Sequence, residues 1–429
     1  VTISKGAPWA LALLATTGVI ARPWRLPEAI WAVLGAAALV AFSLLPWTDA
    51  LRSVGKGTDV YLFLVGMMLL AELARTEGLF DWLAAIAARR ARGSAEKLFG
   101  LVYAVGTLVT VFLSNDATAV VLTPAVYAAA KAAKAEPLPY LFVCAFIANA
   151  ASFVLPISNP ANLVVFGSHL PALRSWLDRF ALPSILSIGA TYVALWLTQR
   201  SSLRQEISTD VHLPDLSHSA RITALGLGVT ATVLLLASTF GLQLGLATVV
   251  AAAITFAVVL LRKREAPWSI LKRISWGVLP LVAGLFVLVE GLQRTGAIEA
   301  LSEVLRSAAN HSVIATAWGA GTLVAIACNL LNNLPAGLIA GSAVAAAQVP
   351  AQVTGALLTG VDDVPDLPIT GALATIERHV ALRRDRRHVR EWTTASTGSH
   401  ALPPPVIASV RGLLLGQRVW IASSTARAL

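Results

Sequence analysis

The stretch Phe112-Leu113-Ser114-Asn115-Asp116-Ala117-Thr118-Ala119 constrains this chain more than any other. It separates two apolar runs, 97–111 and 120–130, and both are short for a bilayer. A span needs about 20 apolar residues, whereas a run of about 10–14 more often marks a re-entrant segment. Polar side chains at the junction of two such runs predict a helical hairpin with its tip at membrane depth. Irregular backbone survives at that depth only where protein buries it or where it lines a water-filled cavity. An ionisable residue there, Asp116, is a functional candidate by default.

The feature returns in the second half of the chain as Asn329-Leu330-Leu331-Asn332-Asn333-Leu334-Pro335-Ala336, where Asn115 falls on Asn332 and Asp116 on Asn333. A similar block precedes each copy. It runs from Leu64-Val65-Gly66 to Arg75-Thr76 in the first and from Leu281-Val282-Ala283 to Arg294-Thr295 in the second. Paired, interrupted hydrophobic segments in corresponding halves point to a transporter's binding site. The alternative is a pair of ordinary helix-to-loop junctions.

Composition supports the membrane reading. The chain is 56% hydrophobic and 13% charged, against about 25% charge in soluble domains, so an all-α polytopic bundle is expected. Its net charge of +10 calls for no nucleic-acid partner, because Lys and Arg collect in the cytoplasmic loops of membrane proteins. Residues 1–20 lack a clear small-residue cleavage site and read as a first span. Cys144 and Cys328 lie in apolar runs and read as small buried hydrophobes, not as a disulfide or zinc site. The histidines sit mostly in loops without a metal-ligand pair, and no GxxxxGK[ST], HExxH or GxSxG occurs. Neither catalytic residues, a cofactor nor a resident metal is expected.

In chain order, 1–46 holds N-terminal spans at 8–20 and 28–46. A first repeat occupies 47–199, with a span at 58–75 and an interfacial amphipathic helix at 79–91 that ends in Arg89, Arg90 and Arg92. Its hairpin is 97–134 and its broken helix 138–170, and the chain returns over 181–198. The break is Ile157-Ser158-Asn159-Pro160-Ala161-Asn162-Leu163, where proline removes a donor and should leave carbonyls free for a ligand or ion. A linker at 200–221 leads to connecting spans within 222–261. The second repeat is 262–390, with a span at 275–292, an amphipathic segment at 298–309, a hairpin at 313–348 and a broken helix at 352–382. Its break is Val361-Asp362-Asp363-Val364-Pro365-Asp366-Leu367-Pro368. The tail, 391–429, is divergent.

Charge decides how the copies are oriented. Loop 89–97 holds Arg89, Arg90, Arg92 and Lys97, whereas its equivalent, 306–314, holds only Arg306. Conversely, 262–273 is strongly basic, while the first copy balances Arg52 and Lys56 against Asp49 and Asp59. Under the positive-inside rule the basic member of each pair is cytoplasmic, so the repeats are inverted. That also places 131–139, 200–221 and 383–390 inside.

Two tips and two broken helices should meet near the midplane with the solute between them. The candidate lining is Ser114, Asn115, Asp116, Thr118, Ser158, Asn159, Asn162, Asn332, Asn333, Asp362, Asp363 and Asp366. No Lys or Arg lies at any break, which disfavours a dicarboxylate or phosphate, normally clamped by Arg. Amides and hydroxyls suit a small neutral polyhydroxy solute or a partly dehydrated cation, and Asp116 is the candidate carrier of a coupling proton. Glu72 with Arg75, and Glu290 with Arg294, read as local ion pairs. Asn149 either faces the site or bonds across helices.

The stretch from Phe112 through Asp116 to Ala119-Val120-Val121-Leu122-Thr123-Pro124 resembles the signature of bacterial arsenite-efflux permeases, the ArsB-type branch of the ion transporter superfamily. Supporting matches are Asp59-Val60-Tyr61-Leu62-Phe63-Leu64-Val65-Gly66-Met67-Met68, Ile157-Ser158-Asn159-Pro160-Ala161-Asn162-Leu163 and Leu331-Asn332-Asn333-Leu334-Pro335, across about 25–376. The resemblance implies the inverted-repeat fold, a place in the bacterial inner membrane, and export of trivalent arsenite and antimonite. The drive would be the proton gradient or, in some systems, a soluble ATPase subunit; a homodimer is compatible. Arsenite at neutral pH is mostly the uncharged trihydroxide, which suits amides without fixed cations. A cation/proton antiporter, a sodium-coupled small-anion transporter and a non-transporting scaffold are the other readings. The sequence departs from the family at Asp362-Asp363-Val364-Pro365-Asp366, where one acid and an Asn after the proline are usual, and at Glu377-Arg378-His379, which interrupts an apolar helix. Beyond Trp392 the resemblance is lost.

Overall fold

Backbone N–H and C=O groups placed in hydrocarbon need internal partners, and an α-helix supplies them within one segment. The computed structural model is accordingly a helical bundle over the residues it describes, 3–167, 170–331 and 333–363. Asn332, Asp366, the 364–368 part of the second break, its continuation to 382, the basic run 383–390 and the tail lie outside them.

The first half comprises α1 (Ile3–Ala21), α2 (Glu28–Ala41), α3 (Trp47–Lys56), α4 (Thr58–Thr76) and α5 (Leu79–Arg90). It continues through α6 (Ala95–Phe112), a π-helical turn (Ala117–Leu122), α7 (Thr123–Ala132), α8 (Leu138–Ala150), a 3-10 turn (Pro156–Ser158), α9 (Pro160–Phe166) and α10 (Leu173–Gln199). The second half comprises α11 (His218–Thr239), α12 (Leu244–Lys263), α13 (Trp268–Leu271) and α14 (Val278–Gln293). After these come α15 (Ala297–His311), α16 (Val313–Leu331), α17 (Asn333–Ala347) and α18 (Ala351–Asp363). Of these, α6, α10, α11 and α12 are each long and apolar enough to cross a membrane. The pairs α3–α4 and α14–α15 qualify when each is taken as one span bent by 49° and 75°.

Several boundaries differ from the expected ones. Residues 47–56 are helical in α3, where Asp49 in the first turn and Lys56 in the last complement the helix dipole. The helix α2 stops at Ala41, and α10 begins at Leu173, well before the expected 181, carrying Pro183 inside it.

The two halves interlock. The pair α1–α2 of the first half packs through α2 along α14, and α11–α12 of the second packs through α12 along α4. Glycine makes both approaches close. A Cβ added at Gly284 would lie 2.7 Å from the Ala32 carbonyl carbon, and one at Gly66 would lie 2.8 Å from that of Thr248.

Ion pairs mark opposite ends of α4, whose 19 residues span about 28 Å at 1.5 Å per residue. At one end Lys56 meets Glu290 at 2.8 Å, and Arg294 pairs with Asp49. At the other, Lys263 meets Glu77 at 2.9 Å. Glu72 and Arg75 form the expected local pair, with Arg75 Nε donating at 2.8 Å. Glu290 and Arg294 also form the expected local pair, at 4.0 Å, and each has a nearer partner on α3 as well.

The linker straps the base of the first hairpin. Ile207 N donates to Gly93 O at 2.9 Å and Ser208 N to Ala133 O at 2.7 Å, while Leu203, Ile207 and Val211 are buried. Farther along, His218 meets Arg262 beside the Lys263–Glu77 pair. The base of the second hairpin is held differently. Arg306 on α15 donates to Ala347 O at 3.2 Å and Ala346 O at 3.1 Å, carbonyls left open where α17 ends.

Candidate functional site

The first tip is built on hydroxyls. The chain leaves α6 at Leu113, and Ser114 Oγ accepts from Ala117 N at 3.2 Å, capping the return arm. Asn115 Oδ1 accepts from Asp116 N at 2.9 Å. The return arm then starts as the π turn, a rare form that is frequent at functional sites. Buried Thr118 Oγ1 lies 2.8 Å from buried Thr110 Oγ1 across the hairpin. Thr110 donates its hydroxyl proton to Gly106 O at 2.8 Å, so Thr118 is the donor within the pair. Thr123 donates to Thr118 O at 3.1 Å, closing the widened turn from its other end.

Four of the carbonyls at the first break are taken up within the protein, where the sequence predicts them open. Asn162 Nδ2 lies 3.0 Å from Ser152 O, 3.3 Å from Leu155 O and 3.4 Å from Pro156 O. Trp176 Nε1 donates to Phe153 O at 3.0 Å. The physical reason is the cost of a buried acceptor without a donor, about 1–3 kcal/mol each. Asn159 Oδ1 accepts from Ala161 N at 2.9 Å and caps α9. Ser158 Oγ accepts from Leu155 N at 3.2 Å and donates to Val111 O at 3.0 Å. That last bond ties the break to the first hairpin, because Val111 lies in the final turn of α6. Two buried polar atoms here have no hydrogen-bond partner among the described residues, Ser152 Oγ and Asn162 Oδ1. The carbonyls around Nδ2 only accept, which fixes which end of the amide is the unpartnered oxygen.

The second return arm, α17, packs against the first break. Asn333 opens α17 and is buried. Farther along that helix, a Cβ at Gly341 would lie 2.5 Å from Val165 O on α9, and one at Gly337 would lie 3.5 Å from Val361 on α18. The helix α17 packs along α9, α18 also touches α8 and α9, and Ser158 at the break bonds Val111 of the first hairpin. The first tip, the first break and the second hairpin therefore share one region. Asp362 and Asp363 close α18. Cys144 and Cys328 are buried in different cores, and among the described residues no three His, Cys, Asp or Glu side chains cluster as metal ligands.

Thr110 and Trp176 escaped the sequence reading. A signal for Thr110 existed in the even spacing of Thr110, Ser114 and Thr118 about the tip. Trp176 has none, since its partner is fixed by how α10 folds back on the break.

The model of the CitMHS family, described as citrate transporter, matches residues 11–360. An arsenical pump membrane protein of Escherichia coli is 26% identical over 328 residues, covering 73% of this chain and 76% of that one. An uncharacterized transporter of Mycobacterium tuberculosis is 24% identical over 415 residues, covering 92% of this chain and 94% of its own. In fold, the chain is similar to the YdaH transporter of Alcanivorax borkumensis, with a TM-score of 0.58 at 16% identity and 88% of each chain covered.

Proposed function

The chain belongs to the CitMHS family of membrane transporters, and we propose that it exports trivalent arsenite and antimonite across the bacterial inner membrane in exchange for protons. The observation that carries this reading is the chemistry of the shared region. It offers amides, hydroxyls and the Asp116 carboxyl, with no Lys or Arg at any of the four breaks. An uncharged trihydroxide needs acceptors for its hydroxyl protons and no fixed cation. Asn162 Oδ1, buried and unpartnered, is one such acceptor, and Asp116 is a titratable group with which solute and proton can be coupled. The relatives named as arsenical pumps support the same solute. Separation of the two thiols into different cores argues against a covalent thiol cage, which would also slow release.

The repeats are inverted in this reading, with the Glu77–Lys263 end of α4 cytoplasmic and the Lys56–Glu290 end outside. Support comes from the ion pairs at opposite ends of α4 and from the basic loops 89–97, 200–221 and 262–273. The first hairpin then enters from the cytoplasm and the second from outside, and the second break adds Asp362, Asp363 and Asp366 to the lining.

One observation favours a second reading, uptake of a small organic anion: the family model is described as a citrate transporter. Everted membrane vesicles separate the two. Under an imposed pH gradient they should accumulate arsenite and antimonite, and excess citrate or succinate should not compete. Strong competition by either anion overturns arsenite export in favour of anion transport, and accumulation of sodium in place of arsenite points to a cation/proton antiporter.

A further inference from the structure

We propose that Thr110 is a positioning residue of the first hairpin: its hydroxyl holds the π turn in register and so decides where Asn115 and Asp116 stand. This rests on the reading that the first tip lines the transport path, and it adds a residue that lies outside the tip.

A π turn carries an extra residue relative to an α turn. Relaxing it to α would rotate the residues before it by about 100° and shift them by about 1.5 Å relative to α7. Asn115 and Asp116 are the residues immediately before it. Something must therefore favour the wider turn, and the turn is packed by α4, α5, α6 and α8, whose apolar contacts are non-directional. The hydroxyl chain does specify it. Thr110 donates to Gly106 O at 2.8 Å, Thr118 donates to Thr110 at 2.8 Å, and Thr123 donates to Thr118 O at 3.1 Å. Only a turn that brings Thr118 back over Thr110 makes all three bonds.

The chain carries its own control. In the second copy Thr110, Ser114, Thr118 and Thr123 are replaced by Ala327, Leu331, Pro335 and Ala340. There the return arm is regular α-helix from Asn333 to Ala347. Where the hydroxyls are absent, so is the π turn.

The test uses the full chain in lipid nanodiscs, comparing Thr110→Val, which keeps the shape and loses the hydroxyl, with Thr110→Ser, which keeps the hydroxyl. Amide hydrogen exchange over 113–123 should quicken by about tenfold in Thr110→Val, the scale of one buried hydrogen bond. Thr110→Ser should match the parent. In everted vesicles Thr110→Val should raise the arsenite KM and leave Vmax nearly unchanged. Thr110→Val also strands the Thr118 hydroxyl, which could cost folding. The double variant Thr110→Val/Thr118→Val strands nothing, and should fold normally while exchange at the tip stays fast. Unchanged protection in Thr110→Val, or protection restored in the double variant, overturns the proposal, as does a quickened tip with an unmoved KM. Failure of the parent chain to move arsenite would sink the export reading alone, since the exchange result needs no solute.

Discussion

The two hairpins solve one problem with different chemistry. Each must hold a polar tip in place inside a bundle, away from water. The first does it with hydroxyls from within its own half, Thr110 to Thr118 and Ser158 to Val111, plus the linker strapped over its base. The second has apolar residues at the matching hydroxyl positions and is seated by glycine, with Gly341 flat against the Val165 backbone of the opposite half. Hydrogen bonds are directional and set an angle; a glycine seam sets only a distance. The first tip, which carries Asp116, is held by direction, and the second return arm, α17, is seated by contact along Gly341.

The all-or-none test of this contrast is sidedness. If the hairpins enter from opposite faces, a cysteine placed at Ser202 is labelled only from the cytoplasm and one at Ser307 only from outside. Labelling of both from one face would break the comparison at its root.

Asp116→Asn should come next in size. It makes the tips chemically alike while keeping the side chain's shape, so the variant should insert and fold yet lose proton-driven arsenite export. Export with unchanged pH dependence would move the proton to Asp362, Asp363 or Asp366.

Gly341→Ala should cost stability, because the added Cβ would sit 2.9 Å from Val165 Cα as well as against its carbonyl. A loss of about 1–3 kcal/mol, typical of overpacking, should appear as a lowered Tm in detergent. Gly319→Ala is the internal control: nothing lies within 4 Å of its added Cβ, and removing a helical glycine should raise stability by up to about 1 kcal/mol. Equal melting of the two variants would mean that the glycine seam is not what seats the second hairpin.

The smallest effect belongs to the pair that joins the halves at the rim. Lys56 is half exposed, and exposed pairs contribute about 0–1 kcal/mol. Glu290→Gln should therefore leave Tm within a degree or two at moderate salt. A larger drop would show that the rim, rather than the interlock of α2 with α14 and α12 with α4, ties the halves together.

Much of the fold was legible in the residues. The paired helices α6–α7 and α16–α17, the break after α8 and the basic loops follow from apolar run length, polar punctuation and charge, which are local properties of the chain. The helix α3 was missed because its residues look like a balanced charged loop, and its apolar side has meaning only once α14 is present to receive it. Asn162 was picked out as a candidate lining residue; it is buried, and its amide serves carbonyls up to ten residues back in the chain, which no spacing rule foretells.

What the sequence determined by itself, then, is the inventory: an all-helical membrane bundle, two interrupted hairpins, and an amide-rich set of breaks without a cation. Tertiary structure decided which polar atoms remain unsatisfied. Hydrogen bonds saturate, so whether Ser158, Asn162 or Thr118 can meet a solute depends on whether Val111, the 152–156 carbonyls or Thr110 have already taken their protons. Those partners are chosen by how the helices pack, and run length and composition do not encode them.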